Sequence, residues 1–142
     1  MVPGLRLGGA IGDCEDCVSG SQDLEEETWF ATYAYGPLTI GYQQAEEDSG
    51  TTSYDTDVYG VSFNVNDDLS VSYGEHQSRK AGYTNHVVQS GENTRVVEVS
   101  SWQAAYTMGG ASFRIADVKA DNVAFSGGLN RSATVVSLGL AF

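Results

Sequence analysis

Alternation of large apolar and small side chains is the feature that most constrains the fold of this chain. It is clearest in residues 132–142. One set of alternate positions there is Phe142, Leu140, Leu138, Val136 and Thr134, and the other is Ala141, Gly139, Ser137, Val135 and Ala133. Successive side chains of a β-strand point to opposite faces of the sheet. The segment is therefore predicted to be a strand with one large apolar face and one small, weakly polar face.

The same alternation recurs along the chain and predicts about eight strands. These cover approximately residues 2–11, 28–35, 38–43, 59–65, 69–74, 97–108, 111–116 and 132–142. Short turns are expected at Gly36-Pro37, Asn66-Asp67-Asp68 and Gly109-Gly110, where the residues suit tight turns. They alternate with long connections, expected at residues 12–27, 45–56, 76–95 and 117–131. The sequence thus predicts a single all-β, antiparallel domain over residues 1–142.

Two environments fit such strands. A soluble β-sandwich buries its large apolar face in a core, whereas an outer-membrane β-barrel turns that face to lipid and its small polar face to a lumen. Sorting of short and long connections to opposite ends is typical of the barrel. Large outward residues near the short turns are expected to form an aromatic girdle, namely Tyr33, Tyr35, Leu38, Tyr42, Tyr106 and Phe142. The pattern favours a transmembrane β-barrel, with the soluble sandwich as the alternative.

Charge and motifs exclude several functions. The net charge is −12, which argues against binding nucleic acid through a basic surface. Ser, His and Asp occur without the arrangement of a catalytic triad, and no phosphate-binding loop is present, so the protein is not expected to be an enzyme. The first seven residues lack the apolar core of a signal peptide. We therefore expect a mature, engineered or partial chain.

Two stretches resemble a known family. Ser101-Trp102-Gln103-Ala104-Ala105-Tyr106-Thr107-Met108-Gly109-Gly110-Ala111 and Val135-Val136-Ser137-Leu138-Gly139-Leu140-Ala141-Phe142 look like the C-terminal half of a Gram-negative general-diffusion porin, of the alphaproteobacterial type. The resemblance implies a sixteen-stranded, trimeric outer-membrane channel for ions and small hydrophilic solutes. It also implies an assembly signal, read by the outer-membrane assembly machinery, at Phe142, Leu140, Leu138 and Val136.

The number of strands departs from that family and leaves two interpretations open. The chain is either the C-terminal half of a sixteen-stranded porin or a complete eight-stranded barrel with a structural or adhesive role. An eight-stranded barrel has room only for packed side chains, and the small face would leave it underfilled. The half-porin, a passive diffusion channel, is therefore the favoured prediction.

Parity places several polar side chains on the small face. Arg6 lies between Leu5 and Leu7, and Arg114 lies between Phe113 and Ile115. An Arg on the lipid face near the bilayer midplane costs about 2–4 kcal/mol, so both are expected in the lumen. The predicted pore-lining residues are Arg114, Arg6, Gln103, Asn64 and Gln43. A structural Arg114, paired with a loop carboxylate, is the alternative.

Other candidate chemistry lies in the acidic segments. Cys14 and Cys17 have the spacing of a redox motif or half a zinc site, but their acidic surroundings and the lack of nearby histidines favour a local disulfide. The acidic residues at 13–27 and 46–48 lack the spacing of a dedicated calcium loop. No cofactor is therefore predicted. Calcium at these external segments, or divalent bridging to lipopolysaccharide, is the sharper alternative to a solvated surface.

Overall fold

The computed structural model describes residues 3–18, 22–50, 52–84, 87–88 and 96–140. It contains nine strands and one short 3-10 turn, Val123–Phe125. The strands are β1 Leu5–Val18, β2 Gln22–Tyr35, β3 Leu38–Asp48, β4 Thr52–Asn64, β5 Leu69–Thr84, β6 Val87–Val88, β7 Val96–Met108, β8 Ala111–Asp121 and β9 Arg131–Leu140. Within these ranges no helix is long and apolar enough to cross a bilayer.

All strands belong to one antiparallel sheet. Eight long strands follow one another in the order β1-β2-β3-β4-β5-β7-β8-β9, and β6 pairs with the end of β5. The all-β, antiparallel, eight-strand prediction is therefore confirmed. Among the described residues the sheet is not closed, because β1 and β9 each have one unpaired edge. The two packed layers of a sandwich are not found in this part of the chain either.

Tight turns join the strands at one end of the sheet, as predicted. Gly109 and Gly110 both have positive φ, 55° and 83°, which suits a two-residue hairpin turn. At residues 65–68 the side chain of Asn66 accepts hydrogen bonds from the backbone N–H groups of Asp68 and Leu69, at 2.9 and 2.8 Å. These local bonds stabilise the turn, and the backbone N–H of Thr107 on β7 also donates to the carbonyl of Asp68 at 2.8 Å.

The prediction of long loops at the other end is wrong for the 12–27 and 45–56 connections, and the other two connections are shorter than predicted. β1 and β2 extend to Val18 and Gln22, through most of the expected 12–27 loop, and β3 and β4 leave only residues 49–51 between them. Likewise β5 continues to Thr84 and β8 to Asp121. The ladder of backbone hydrogen bonds continues although the apolar alternation stops, because backbone pairing does not require an apolar face.

The described part of the sheet has no hydrophobic core. None of the described side chains is buried, and many large apolar side chains are more than a third exposed. The accessible surface is 10054 Å² for a 15.1 kDa chain. A compact monomer of that mass exposes about 7,100 Å². The excess is that of a single layer whose two faces both lie open.

Candidate functional site: the two faces of the sheet

Residues that face each other on neighbouring strands form rows across the sheet. One such row contains seven large or apolar residues on one face, Tyr35, Leu38, Phe63, Val71, Ala104, Ile115 and Val136. We call this face the apolar face and the other the small face. On each long strand this face includes one stretch of mainly apolar residues, and these stretches together are called the apolar band. Towards the short turns its limits are Leu5, Tyr35, Leu38, Phe63, Leu69, Met108, Ala111 and Leu140. At the other end of the strands the band ends at its far limit, which is formed by Ile11, Trp29, Tyr42, Tyr59, Tyr73, Trp102, Ile115 and Val136.

The far limit of the apolar band runs obliquely across the rows. The row through Ile11 on β1 crosses β7 at Val96, whereas the row through Val136 on β9 crosses β7 at Ala104. The limit therefore moves by eight residues along the strands over the seven intervals from β1 to β9. With about 3.4 Å per residue and about 4.8 Å between strands, the band is inclined to the rows by about 40°.

Aromatic side chains border the far limit of the band. The rings of Trp29 and Tyr42 lie 5.2 Å apart, and those of Tyr73 and Trp102 lie 4.5 Å apart. Their polar atoms point away from the band: the Tyr42 hydroxyl donates to Asp57, and Trp29 Nε1 donates to Gln44 at 3.2 Å. This border resembles the amphipathic ring arrangement found where an apolar phase meets water.

The predicted girdle near the short turns is thus corrected in part. Tyr35 and Tyr106 lie at that end, but Tyr42 lies at the opposite limit, beside Trp29. The error arose because β3 begins directly after its turn, and four residues carry Tyr42 across the band. Phe142 lies outside the described residues.

Beyond the band, the apolar face becomes strongly acidic. We call this region the charged margin. Its acidic residues are Asp13, Glu25, Glu27, Glu46, Asp48, Asp55, Asp57, Glu75, Glu98, Asp117 and Asp121, and its basic residues are Arg79 and Lys119. Arg79 forms ion pairs with Asp55 at 3.2 Å and Asp57 at 3.4 Å.

Several acidic residues of the margin face one another directly. Glu27 faces Glu46, Glu46 faces Asp55, and Glu25 faces Asp48. Like charges in such positions are destabilising. In the part of the chain that the structure describes, no three His, Cys, Asp or Glu side chains are grouped so as to hold a metal ion. Calcium and divalent bridging to lipopolysaccharide stay predictions.

The small face exposes backbone at its centre. Gly41, Gly60 and Gly74 face one another in one row across β3, β4 and β5. Nearer the β1 edge, the ring of Phe30 covers Gly8, where an added Cβ would lie 2.4 Å from Phe30 Cε1. A side chain at Gly8 would therefore displace the Phe30 ring from its present position. The small face offers a broad surface of hydroxyls, glycines and short apolar groups.

All five predicted pore-lining residues lie on the small face, but in four different rows. Arg114 and Asn64 share a row, in which Ala105 and Ser70 lie between them. Gln103 faces Ser72 and Ala116, Arg6 faces Thr32, and Gln43 faces Phe30 and Val58. The rows place these residues on one surface without gathering them into one cluster. Their pore-lining role stays a prediction.

Sequence reasoning missed three further basic or titratable residues of this face. His76 and Arg131 lie in the row of Gln43, and Lys80 faces Tyr54. The alternation of β9 extends from Ala133 back to Arg131, so it could have placed Arg131 on the small face. Lys80 and His76 gave no such signal, because they fell in a segment predicted to be a loop.

The connection between β8 and β9 reaches the small face of β4. The ring of Phe125 lies 5.9 Å from that of Tyr54, and Lys80 Nζ lies 5.5 Å from the same Tyr54 ring. Asn122 Nδ2 also donates to the carbonyl of Val96 at 3.0 Å. The far end of the small face is therefore partly covered by this connection.

The assembly-signal and disulfide predictions fall partly outside the described residues. Leu140, Leu138 and Val136 lie on the apolar face, facing Ala111, Phe113 and Ile115. Cys14 faces Leu24 at the far end of β1, but the side chain of Cys17 is not among those described. Assembly through Phe142 and a Cys14–Cys17 disulfide stay predictions.

Comparison with known proteins returned no match: no family model, curated protein or solved structure matches the chain.

Proposed function

We propose that this chain forms the wall of a transmembrane β-barrel in a Gram-negative outer membrane and acts as a passive diffusion channel for ions and small hydrophilic solutes. The observation that carries the proposal is the inclined apolar band. Strands of outer-membrane barrels are tilted by about 35–45° to the membrane normal, so a lipid-facing belt must cross their rows at that angle. The inclination of about 40° measured from the pairing of β1 to β9 has the required size.

Three other features support the same proposal. A sheet with no buried side chain needs another phase to cover its apolar face, and lipid provides one. Trp29, Tyr42, Tyr73 and Trp102 border the band where an interface would lie. The glycine row and the hydroxyls of the small face suit the wall of a water-filled lumen.

The porin resemblance completes this proposal. It adds a homotrimer, lipopolysaccharide around the charged margin, and recognition of Val136, Leu138, Leu140 and Phe142 by the assembly machinery. In this arrangement the chain supplies the C-terminal half of a wider, sixteen-stranded barrel. A lumen of that width leaves the small face in contact with water.

A second candidate is a complete eight-stranded barrel with a structural or adhesive role and no channel. The continuous path of eight long strands favours it. It differs from the channel in its interior, which must be filled by side chains. A soluble β-sandwich binding module is the third candidate, and it needs a second layer over the apolar band.

Refolding and planar-bilayer recording test the proposal. The sixteen-stranded pore that contains this chain is refolded in detergent and run unheated and heated on a denaturing gel, and it is expected to migrate differently in the two lanes. The same sample added to a planar bilayer is expected to give stepwise, persistent conductance. A heat-modifiable protein without conductance would favour the structural barrel, whereas a chain that is monodisperse without detergent would favour the sandwich.

A further inference from the structure

Charged side chains segregate by face, which the sequence-wide charge of −12 conceals. Among the residues that the structure describes, the small face carries four basic residues, Arg6, Lys80, Arg114 and Arg131, and two acidic residues, Glu26 and Glu47. Counting only described positions that are paired across the sheet, the charged margin on the other face carries eleven acidic and two basic residues. Thus the face that is most crowded with acids is not the one that would line a lumen.

The basic and acidic residues of the small face also lie at different positions along the strands. Arg114 lies at the depth of the apolar band, between Phe113 and Ile115, and Arg6 lies there between Leu5 and Leu7. Both acids of the small face lie farther out, where Glu47 faces Glu26 and Tyr54. At the depth of the band, the small face therefore carries only positive charge among the described residues.

Arg114 also has no ion-pair partner among the residues that the structure describes. It faces Ala105 and Ser137, which are neutral. In the described ranges the ion pairs involve Arg79 with Asp55 and Asp57, and none involves Arg6, Arg114 or Arg131. The alternative of an Arg114 paired with a loop carboxylate therefore finds no partner in these ranges.

We infer that the lumen-facing surface favours small inorganic or carboxylate anions over cations of the same size, with Arg114 as a determinant of that preference. The inference rests on the proposed channel function. A fixed charge on the wall of a narrow aqueous path acts on every ion that passes it, because low-dielectric walls focus the field. Acids of the charged margin lie on the other side of the wall, where solvent screens them over about 10 Å at 0.1 M salt.

Zero-current potentials in a tenfold potassium chloride gradient test this inference. The parent channel is expected to pass chloride more readily than potassium. Arg114→Ala is expected to lower the chloride-to-potassium permeability ratio by roughly twofold, since one unpaired charge near the path is removed. Lys119→Ala is the matched control, because Lys119 carries the same charge on the other face of the same strand, and it is expected to leave the ratio unchanged. A cation-selective parent, or equal shifts in both variants, would overturn the anion preference while leaving the channel in place.

A thiol-reagent assay tests the surface charge without any need for conductance. Ser137→Cys is introduced beside Arg114 in a Cys14→Ser/Cys17→Ser background, with Ser70→Cys as a second reporter in case the first fails to fold. Anionic methanethiosulfonate is expected to react faster than its cationic counterpart, and Arg114→Ala is expected to reduce that ratio. If conductance is absent but the anionic reagent still reacts faster, only the proposed channel function is contradicted. Equal reaction rates for the two reagents would contradict the positive charge of the small face.

Discussion

The apolar band and the charged margin belong to the same strands, yet they are built on different rules. In the band, most side chains follow a two-residue alternation, and the register of Ile40, Val61 and Tyr73 keeps large groups on one face. In the margin the backbone ladder continues, with one register shift in β1 between Cys14 and Val18. There Glu27, Glu46 and Asp55 face one another. Backbone pairing therefore determines the length of the strands, whereas the side chains of each part of a strand indicate the environment to which that part is suited.

A charge placed in the band is expected to have the largest effect on this difference. Val61 lies in the middle of the band, between Ile40 and Tyr73, and Ser62 lies next to it on the small face, between Thr39 and Ser72. Val61→Lys is expected to reduce the free energy of unfolding in lipid vesicles by about 2–4 kcal/mol, because the ammonium group would face hydrocarbon.

Ser62→Lys is the matched control, with an expected loss below about 1 kcal/mol, because its side chain would face water. Urea titration followed by tryptophan fluorescence measures both variants. Equal losses at the two positions would contradict the assignment of faces and, with it, the band.

The aromatic border is expected to contribute less. Tyr73 and Trp102 face each other with ring centroids 4.5 Å apart. A double-mutant cycle of Tyr73→Ala and Trp102→Ala is expected to give a coupling energy of about 0.5–1.5 kcal/mol, the usual value for a packed aromatic pair.

The control cycle combines Trp102→Ala with Tyr54→Ala, since Tyr54 lies on the small face two strands away. Its coupling is expected to lie within about 0.5 kcal/mol of zero. Comparable coupling in the two cycles would mean that the aromatic rings do not act as neighbours at a border.

The charged margin is expected to give the smallest effect and the opposite sign. Glu46 has Glu27 on one side and Asp55 on the other. Glu46→Lys is expected to raise the free energy of unfolding by about 0.2–1 kcal/mol, because it replaces two like-charge contacts with opposite-charge ones. Glu46→Gln, which only removes the repulsion, is expected to give part of that gain. Both gains are expected to shrink in high salt, and gains that persist there would rule out an electrostatic origin.

Sequence reasoning succeeded where side chains alternate and failed where only the backbone is regular. Val135 to Leu140 revealed both faces of β9, and Gly109-Gly110 revealed its own turn, because each signal is local. The extension of β1 through Asp13 and Cys14 left no apolar period to detect, since its side chains there do not alternate between apolar and polar. Lys80 was missed for the same reason, because only its pairing with Tyr54 shows on which face it lies. Tyr42 was predicted at the wrong end because its position relative to the band depends on the inclination of the band. That inclination is visible only in the pairing of several strands.

The inclination of the apolar band also fixes how the two open edges could meet. The limit of the band has moved eight residues between β1 and β9, and an unbroken belt needs that offset to be absorbed at the seam. Direct pairing of β9 with β1 therefore brings Ile11 beside Val136 and gives a closed sheet with a shear of about eight residues. A cysteine at each of these two positions would then crosslink within one chain. If further strands stand between the edges, the same two cysteines lie on distant parts of a wider belt.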